Sequence, residues 1–409
     1  MRTRDAIRPG PATPAAAPSR RLAVVLSHPT QYYSPWFRWL AAHASLDLRV
    51  FYLWDFGVAT VRDPQFEASF QWDVDLLSGY ASEFVPNVSR KPNAESFRGF
   101  DNPELPGRLA AWRPDAVLLF GYKWASHLRV IAWARRRGVP LVFRGDSHRL
   151  GRGRPGPVPA LLLRLLYAQF GAITYVGAAN RAYFAGFGVP PARLFFAPHA
   201  VDPLLYDPAL PAHREAAARL RSGLRLAPAT RVVLFAGKLL PAKQPRELLE
   251  AFLSLPDRDA ALVFVGEGAE KPALTALAAG AAPGRVHFLP FANQSEMPSR
   301  YLLADLFVLP SRGLYETWGL AVNEAMQMGL PCLVSDRVGC QQDLVTDGDT
   351  GWVFRADAPG ELRAKLGSAL AADLAPYRPR VARRIAGYSY AAAAAGLAAA
   401  LASLPRRHR

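Results

Sequence analysis

Residues 305–335, DLFVLPSRGLYETWGLAVNEAMQMGLPCLVS, decide the fold of this chain. The stretch begins with an apolar run, DLFVLP, passes through a polar loop into a helical pattern, and ends in a second apolar run, PCLVS. Strands that are separated by helices predict a parallel sheet. Ligands of such sheets lie beyond the carboxyl ends of the strands, so the residues that follow each strand are the first candidates for a functional site.

The same alternation continues over the rest of the chain and falls into two series of strands. The first series comprises LAVVL (22–26), LRVFYLW (48–54), AVLLF (116–120), PLVFR (140–144) and AITYV (172–176), and the second comprises RVVLFAG (231–237), ALVFVG (261–266), VHFLP (286–290), DLFVLP and PCLVS. A chain of 409 residues is long enough for two domains. We therefore predict two α/β domains, over residues 20–205 and 206–380.

Composition limits the class of protein. The formal charge of +16 comes almost entirely from Arg, alongside abundant Ala and Pro, which is typical of GC-rich coding rather than of nucleic-acid binding. Only Cys332 and Cys340 are present, which fits a reducing, cytoplasmic location and neither a disulfide scaffold nor a cysteine metal site. Residues 1–19 are rich in Pro, Ala and charge without an apolar core, so we predict a disordered lead and no signal peptide.

The helix after DLFVLP supplies a candidate site for a diphosphate. We expect this helix to run from about Trp318 to Met328, because Gly329 and a proline follow it. The unpaired N–H groups near Trp318, Gly319 and Leu320 then point at the carboxyl edge of the sheet and can bind an anion. Gly319 permits a close approach of the ligand to the backbone.

Two glutamates accompany this helix. Glu316 opens the loop-to-helix junction, and Glu324 lies eight positions later, inside the helix. At ~1.5 Å of rise per residue, Glu324 is within reach of a ribose that is one diphosphate away from the helix start. A carboxylate can accept two hydrogen bonds from vicinal hydroxyls. The alternative interpretation is that Glu316 only stabilises a helix terminus and that Glu324 is a solvated helix residue.

Two lysines follow another strand of the second series. Lys238 comes directly after Gly237 at the end of RVVLFAG, and Lys243 follows five positions later, although the whole chain has only six lysines. Two cations at a strand end can neutralise the charge that develops on a departing nucleoside diphosphate, as a metal ion does in other enzymes. The alternative is a pair of solvated loop lysines.

Together these residues resemble glycosyltransferase family 4. Glu316 and Glu324 match the family's Glu, seven residues, Glu motif, and Lys238 and Lys243 match its cationic pair, although the first position is more usually Arg in the family. VGEG at 265–268, VHFLPF at 286–291, DLVTDGDTGWVF at 343–354 and APHAVD at 197–202 also resemble family landmarks. The resemblance covers residues 22–354 and is stronger in the C-terminal half.

The resemblance implies the GT-B fold, in which two Rossmann-like domains face a cleft and the last helix, here within 381–409, returns toward the N-terminal domain. It also implies a bacterial hexosyltransferase-type enzyme that transfers a sugar from a nucleotide diphosphate donor with retention of configuration. Such an enzyme needs neither a metal nor another cofactor. The other classes left open are a nucleotide-sugar epimerase and a noncatalytic nucleotide-sugar binding protein.

The acceptor side is expected in the first domain. His28, Gln31 and Tyr32 crowd the loop after the first strand, where aromatic and amide groups can contact a saccharide. Tyr33 and its neighbours also fit a core-facing helix. Asp146 stands after PLVFR, where many family members carry a histidine close to the reacting sugar, but it can equally cap the next segment.

A basic segment joins the longest apolar stretch of the chain. Arg149, Arg152 and Arg154 precede residues 158–176, which are interrupted by Arg164 and therefore predict a buried or interfacial helix that runs into a strand, not a bilayer span. This segment can contact an anionic membrane and present a lipid-linked acceptor to the cleft. The alternative is a mobile basic loop before an ordinary packed helix.

Overall fold

The computed structural model describes residues 20–58, 61–63, 68–256, 259–312 and 316–405, so the predicted disordered lead lies outside the described residues. The elements of the first half are, in chain order, β1 (Arg20–Leu26), α1 (Tyr33–His43), β2 (Leu46–Tyr52), β3 (Val61–Asp63), β4 (Ala68–Phe70), β5 (Ala81–Phe84), α2 (Leu105–Trp112), β6 (Ala116–Phe120), α3 (Ala125–Arg137), β7 (Leu141–Arg144), α4 (Pro157–Tyr167), β8 (Ala172–Tyr175), α5 (Ala178–Gly186) and β9 (Leu194–Phe196). Those of the second half are α6 (Pro211–Gly223), β10 (Arg231–Ala236), α7 (Pro245–Leu253), β11 (Ala260–Val265), α8 (Lys271–Ala281), β12 (Val286–Leu289), α9 (Met297–Leu302), β13 (Leu306–Leu309), α10 (Leu320–Gln327), β14 (Cys332–Ser335), α11 (Gln341–Leu344), β15 (Gly351–Phe354), α12 (Glu361–Ala371), α13 (Tyr377–Ile385) and α14 (Tyr390–Ala402).

Two parallel sheets succeed each other along the described chain, as the strand series predicts. The first has the order β5-β2-β1-β6-β7-β8-β9 and the second the order β12-β11-β10-β13-β14-β15. Every pairing within them is parallel, whereas β3 and β4 form a separate antiparallel pair. Their central strands are nearly continuous apolar runs because helices cover both faces of each sheet. The predicted class, two α/β domains with parallel sheets, is confirmed.

Helices lie on both faces of the first sheet. One core joins the strands to α2, α3 and α5 and to Tyr167 at the end of α4, and the other joins them to α1 and α14. Because β6, β7, β8 and β9 are successive neighbours, right-handed crossovers place α3, α4 and α5 side by side on the same face.

The last helix of the chain belongs structurally to the first domain. Helix α14 contacts α1, β8 and β9, and Tyr390, Leu397 and Leu401 are buried. Ser389 caps its N-terminus by accepting a hydrogen bond from the Ala392 N–H. By length and composition alone, Tyr377–Ala402 is long and apolar enough to cross a membrane, with a mean hydropathy of 1.4, but it consists of two helices and contributes α14 to this core.

The structure shortens the helix that follows DLFVLP. The predicted start near Trp318 is wrong, because α10 begins at Leu320 and Gly319 precedes it with a left-handed φ of 99°. Residues 316–318 are held by backbone hydrogen bonds instead, from the Gly339 N–H to the Glu316 carbonyl and from the Cys340 N–H to the Trp318 carbonyl. Only Gly readily adopts the φ of position 319. Gly319 therefore allows the chain to turn into α10 at Leu320, which lines the cleft.

Candidate active site

A cavity of about 450 Å³ lies between the carboxyl ends of the two sheets. It contains every candidate site residue predicted from the sequence, namely Glu316, Lys238, Lys243, Asp146, Gly237, Trp318, Gly319, Leu320, Glu324, His28, Gln31 and Tyr32. Sequence reasoning did not find Phe56, Trp72, Gln294, Tyr301 and Thr317, which also line it. Strand-end positions identified the first set. Thr317 lies beside Glu316 in the same loop, whereas Phe56, Trp72, Gln294 and Tyr301 come from other loops and a helix that the tertiary structure brings there.

The floor of the cavity is formed by two glycines at the ends of adjacent strands. Gly237 follows β10 with a φ of 151°, and Gly266 follows β11 with a φ of 137°. A Cβ atom at Gly266 would lie 2.1 Å from the Gly237 carbonyl oxygen, so no larger residue fits there. Both glycines line the cavity without a side chain, so their backbone is what faces it.

Glu316 is held at one end of the cavity by an ion pair. Its side chain pairs with Lys243, and its Oε2 atom accepts a hydrogen bond of 2.8 Å from the Ser311 hydroxyl. Only 8% of Glu316 is exposed. Its carbonyl oxygen lies 3.1 Å from Nε2 of His148, which belongs to the first domain. Glu316 is thus a fixed carboxylate at the boundary between the domains.

Both candidate cations lie in the same cavity wall. Lys243 ends a short 3₁₀ turn before α7, and its pairing with Glu316 fixes its ammonium group in the cleft. Lys238 lies at the start of that loop and lines the cavity as well. The loop therefore places two partly exposed lysines in the wall of one cavity.

Glu324 lies at the other end of the cavity and is only 3% exposed, which excludes its interpretation as a solvated helix residue. Its Oε1 atom accepts a hydrogen bond of 2.9 Å from the Tyr32 hydroxyl, and its Oε2 atom one of 2.6 Å from the Tyr301 hydroxyl. Burial raises the pKa of Glu324, while the hydrogen bonds from Tyr301 and Tyr32 oppose that shift. Because Tyr32 belongs to the first domain, its bond to Glu324 crosses the cleft.

The side chain of Trp318 joins the two domains. Its indole N–H donates a hydrogen bond of 2.7 Å to the Asn323 side chain, whose amide donates in turn to the His199 carbonyl at 3.2 Å. The Trp318 and His199 rings lie 5.7 Å apart. Gly319 and Leu320 line the cavity, so the first N–H groups of α10 lie near it.

Asp146 faces the second domain and does not cap a helix. Its Oδ2 atom accepts a hydrogen bond of 2.8 Å from the Thr317 hydroxyl and lies 3.7 Å from Nε2 of His199. The next helix, α4, begins after Gly156 without a side-chain cap, so the capping interpretation is wrong. Burial alone would raise the pKa of Asp146, but hydrogen bonding with His199 and Thr317 outweighs it and lowers the pKa.

Aromatic side chains line the first-domain wall of the cavity. The His28 ring lies 5.3 Å from the Phe56 ring, and its Nδ1 atom lies 3.0 Å from the Ser27 hydroxyl. Burial lowers the pKa of His28 to about 4, so its imidazole is neutral at pH 7. Trp72 continues this wall. Tyr33, by contrast, packs against the core, as the core-facing interpretation predicts.

The two domains also touch at the edge of the cleft. The Asn293 amide donates a hydrogen bond of 2.6 Å to the Gln71 carbonyl, and the Ser295 hydroxyl donates to the Asp73 carboxylate.

Within the described ranges, no group of three or more His, Cys, Asp or Glu side chains could hold a metal ion.

Solved structures with the same architecture cover nearly the whole chain. HepE of Anabaena, solved in complex with UDP and glucose, superposes with a TM-score of 0.68 at 17% identity and covers 94% of this chain and 100% of its own. The sucrose-phosphate synthase of Thermosynechococcus elongatus gives a TM-score of 0.69 at 17% identity, with coverages of 93% and 97%. Together with the two facing domains, these likenesses define the fold as GT-B.

Comparison with sequences identifies the family. The family model described as glycosyl transferases group 1 matches residues 218–385. The D-inositol 3-phosphate glycosyltransferase of Nocardia farcinica is 34% identical over an aligned length of 369, and the alignment covers 80% of this chain and 79% of that protein. That of Segniliparus rotundus is 30% identical, with coverages of 76% and 72%. The chain therefore belongs to the group 1 glycosyltransferases, and a transferase is favoured over an epimerase or a noncatalytic binding protein.

Proposed function

We propose that this glycosyltransferase is a metal-independent, retaining hexosyltransferase that uses a nucleoside diphosphate sugar and a saccharide or lipid-linked saccharide acceptor. Its proposed location is the cytoplasm, at the inner face of the membrane, and its proposed role is cell-surface polysaccharide or glycolipid synthesis. The observation that carries the proposal is a single cavity with Glu316 and two lysines at one end and Glu324 at the other.

The cavity matches the parts of such a donor in their chemical order. Glu324 supplies carboxylate oxygens for the ribose hydroxyls, and the α10 start together with Gly237 and Gly266 offers open backbone for the diphosphate. Glu316 lies where the transferred sugar would follow. The ribose must share Glu324 with Tyr32 or displace it, so donor binding is coupled to the contact between the domains.

The two lysines support a reaction that needs no metal. As the bond between the sugar and the diphosphate breaks, negative charge develops on the leaving phosphate oxygens. Lys238 and Lys243 place fixed positive charge in the same wall of the cavity, and Glu316 holds Lys243 in position. Preorganised charge of this kind stabilises a transition state because it needs no reorganisation during the reaction.

The first-domain wall favours a saccharide as the acceptor. Phe56 and Trp72 provide flat apolar surfaces, and Asp146 and Gln31 provide hydrogen-bonding groups. Among the described residues of this wall, none is Lys or Arg. An uncharged saccharide therefore fits this wall better than a phosphorylated one, in contrast to the inositol phosphate in the names of the relatives. The leaving diphosphate is proposed to help deprotonate the acceptor, as family resemblance implies.

Slow hydrolysis of a nucleotide sugar in EDTA tests the proposed reaction. We expect purified protein to release nucleoside diphosphate from one member of a panel of UDP-, GDP-, ADP- and dTDP-sugars, with the sugar first appearing in the donor's anomeric configuration by NMR. Addition of Mn²⁺ after removal of EDTA is the control and should leave the rate unchanged. Absence of release from every donor, together with no thermal shift by any nucleotide, would contradict the proposal, and release only with Mn²⁺ would contradict its metal-independent part.

A further inference from the structure

Helix α4 exposes a row of large apolar side chains. Val158 is 67% exposed, Leu161 56%, Leu162 61% and Leu165 55%. Their spacing of three and four residues puts them on one face of the helix. Isolated exposed apolar residues are normal on a protein surface, but four on one helical face mark a surface that binds something.

The opposite side of α4 anchors it to the protein. Ala160, Leu163 and Leu166 pack partly against the core of the first domain, and Tyr167 is buried. The helix is therefore apolar on the face toward the protein and on the face toward solvent. The interpretation of α4 as an ordinary packed helix does not explain the second face.

The segments that flank α4 along the chain carry almost only positive charge. Residues 116–201, which include α3, α4 and α5, contain a single acidic residue, Asp146, and it faces the catalytic cleft. The same range contains twelve basic residues, Lys123, Arg129, Arg135, Arg136, Arg137, Arg144, Arg149, Arg152, Arg154, Arg164, Arg181 and Arg193. Arg144 is buried and Arg129 pairs with Asp101, whereas the exposed arginines of α3, α4 and α5 share one face of the sheet and form a basic face around the apolar row.

We propose that this basic face docks on a membrane surface that contains anionic phospholipid, with α4 lying in the plane of the interface. Val158, Leu161, Leu162 and Leu165 enter the boundary between headgroups and acyl chains, and the arginines contact lipid phosphates. A second copy of the chain is a poorer occupant, because a symmetric dimer through α4 would bring two basic faces together.

The position of α4 links this surface to the cleft. The loop that leads from β7 into α4 begins at Asp146 and includes His148, whose ring lies 3.1 Å from the Glu316 carbonyl oxygen. Docking at α4 therefore holds the acceptor side of the cleft near the membrane, where a lipid-linked saccharide is available. This last step rests on the proposed function, whereas the docking itself does not.

Flotation of the full chain with vesicles tests the docking. We expect binding to vesicles of phosphatidylcholine mixed with phosphatidylglycerol, weak binding to phosphatidylcholine alone, and loss of binding at high salt. The triple variant R152E, R154E and R164E should partition on the order of 100-fold more weakly, given about fivefold for each charge lost. The double variant L161S and L162S should also lose binding, because it removes the inserted apolar area.

Two matched variants serve as controls. Val88→Ser removes a similarly exposed apolar residue of the same domain, and Arg219→Glu reverses an exposed charge on α6, so both should bind like the wild type. All variants should release nucleoside diphosphate without vesicles at the wild-type rate, which separates docking from catalysis. Equal flotation of wild type and both α4 variants would overturn the proposal, as would a stable dimer that the α4 substitutions dissociate.

Discussion

Replacement of Glu316 by Gln is expected to lower kcat by about 100- to 1,000-fold, as does removal of one preorganised electrostatic group from other active sites. The substitution keeps the size of the side chain but removes the charge that pairs with Lys243 and accepts from Ser311. Because we propose that Glu316 lies beside the transferred sugar and not at the ribose, nucleoside diphosphate should still bind within about threefold of the wild-type affinity. Steady-state donor turnover and calorimetric titration measure the two quantities.

Glu361→Gln is the matched control for this experiment. Glu361 also belongs to the second domain and pairs with Arg355 at 3.0 Å, but it lies outside the cavity. Its variant should keep the wild-type rate. Equal losses of turnover and of nucleotide affinity in Glu316→Gln would remove Glu316 from the proposed position beside the sugar.

Lys243→Met should lower kcat/KM for the donor by about 100-fold, because it deletes one of the two charges that stabilise the leaving diphosphate. The loss of kcat/KM has a second cause. Glu316 keeps its hydrogen bond from Ser311 but loses the ion pair with Lys243. Lys243→Arg restores the charge with a different geometry and should recover part of the activity.

Lys365→Met controls for the loss of a paired lysine. The Lys365 side chain is 26% exposed and that of Lys243 25%, and Lys365 pairs with Asp347 away from the cleft. We expect Lys365→Met to have wild-type activity. Thermal denaturation should show that both Lys365→Met and Lys243→Met are folded. Full activity of Lys243→Met would exclude Lys243 from the diphosphate site.

The fold could be predicted from the sequence because its strands are buried on both faces and therefore appear as continuous apolar runs. The candidate site could be predicted for the same reason, since the parallel order brings the ends of β10 and β13 to one edge. Lys238, Lys243 and Glu316 each follow one of these strands and line one cavity.

Other features depend on tertiary contacts that local patterns do not encode. Tyr301 lies on α9 and reaches Glu324 only because of helix packing, and Thr317 meets Asp146 across the domains. The start of α10 was misplaced because the pairing of residues 316–318 with residues 339–340 competes with the helix. The exposure of α4 could not be predicted either, since an apolar pattern does not tell which face the protein covers.

Calorimetric titration tests the assignment of the cavity as the donor site most directly. UDP, or the nucleoside diphosphate that the donor panel identifies, is titrated in EDTA into wild-type protein and into Glu324→Gln. We expect one binding site in the wild type and affinity about 10- to 100-fold lower in the variant, because one charge-assisted hydrogen bond to the ribose is weakened or lost. Equal affinity of the two proteins, or no binding of any nucleoside diphosphate to the wild type, would contradict the assignment of this cavity as the donor site.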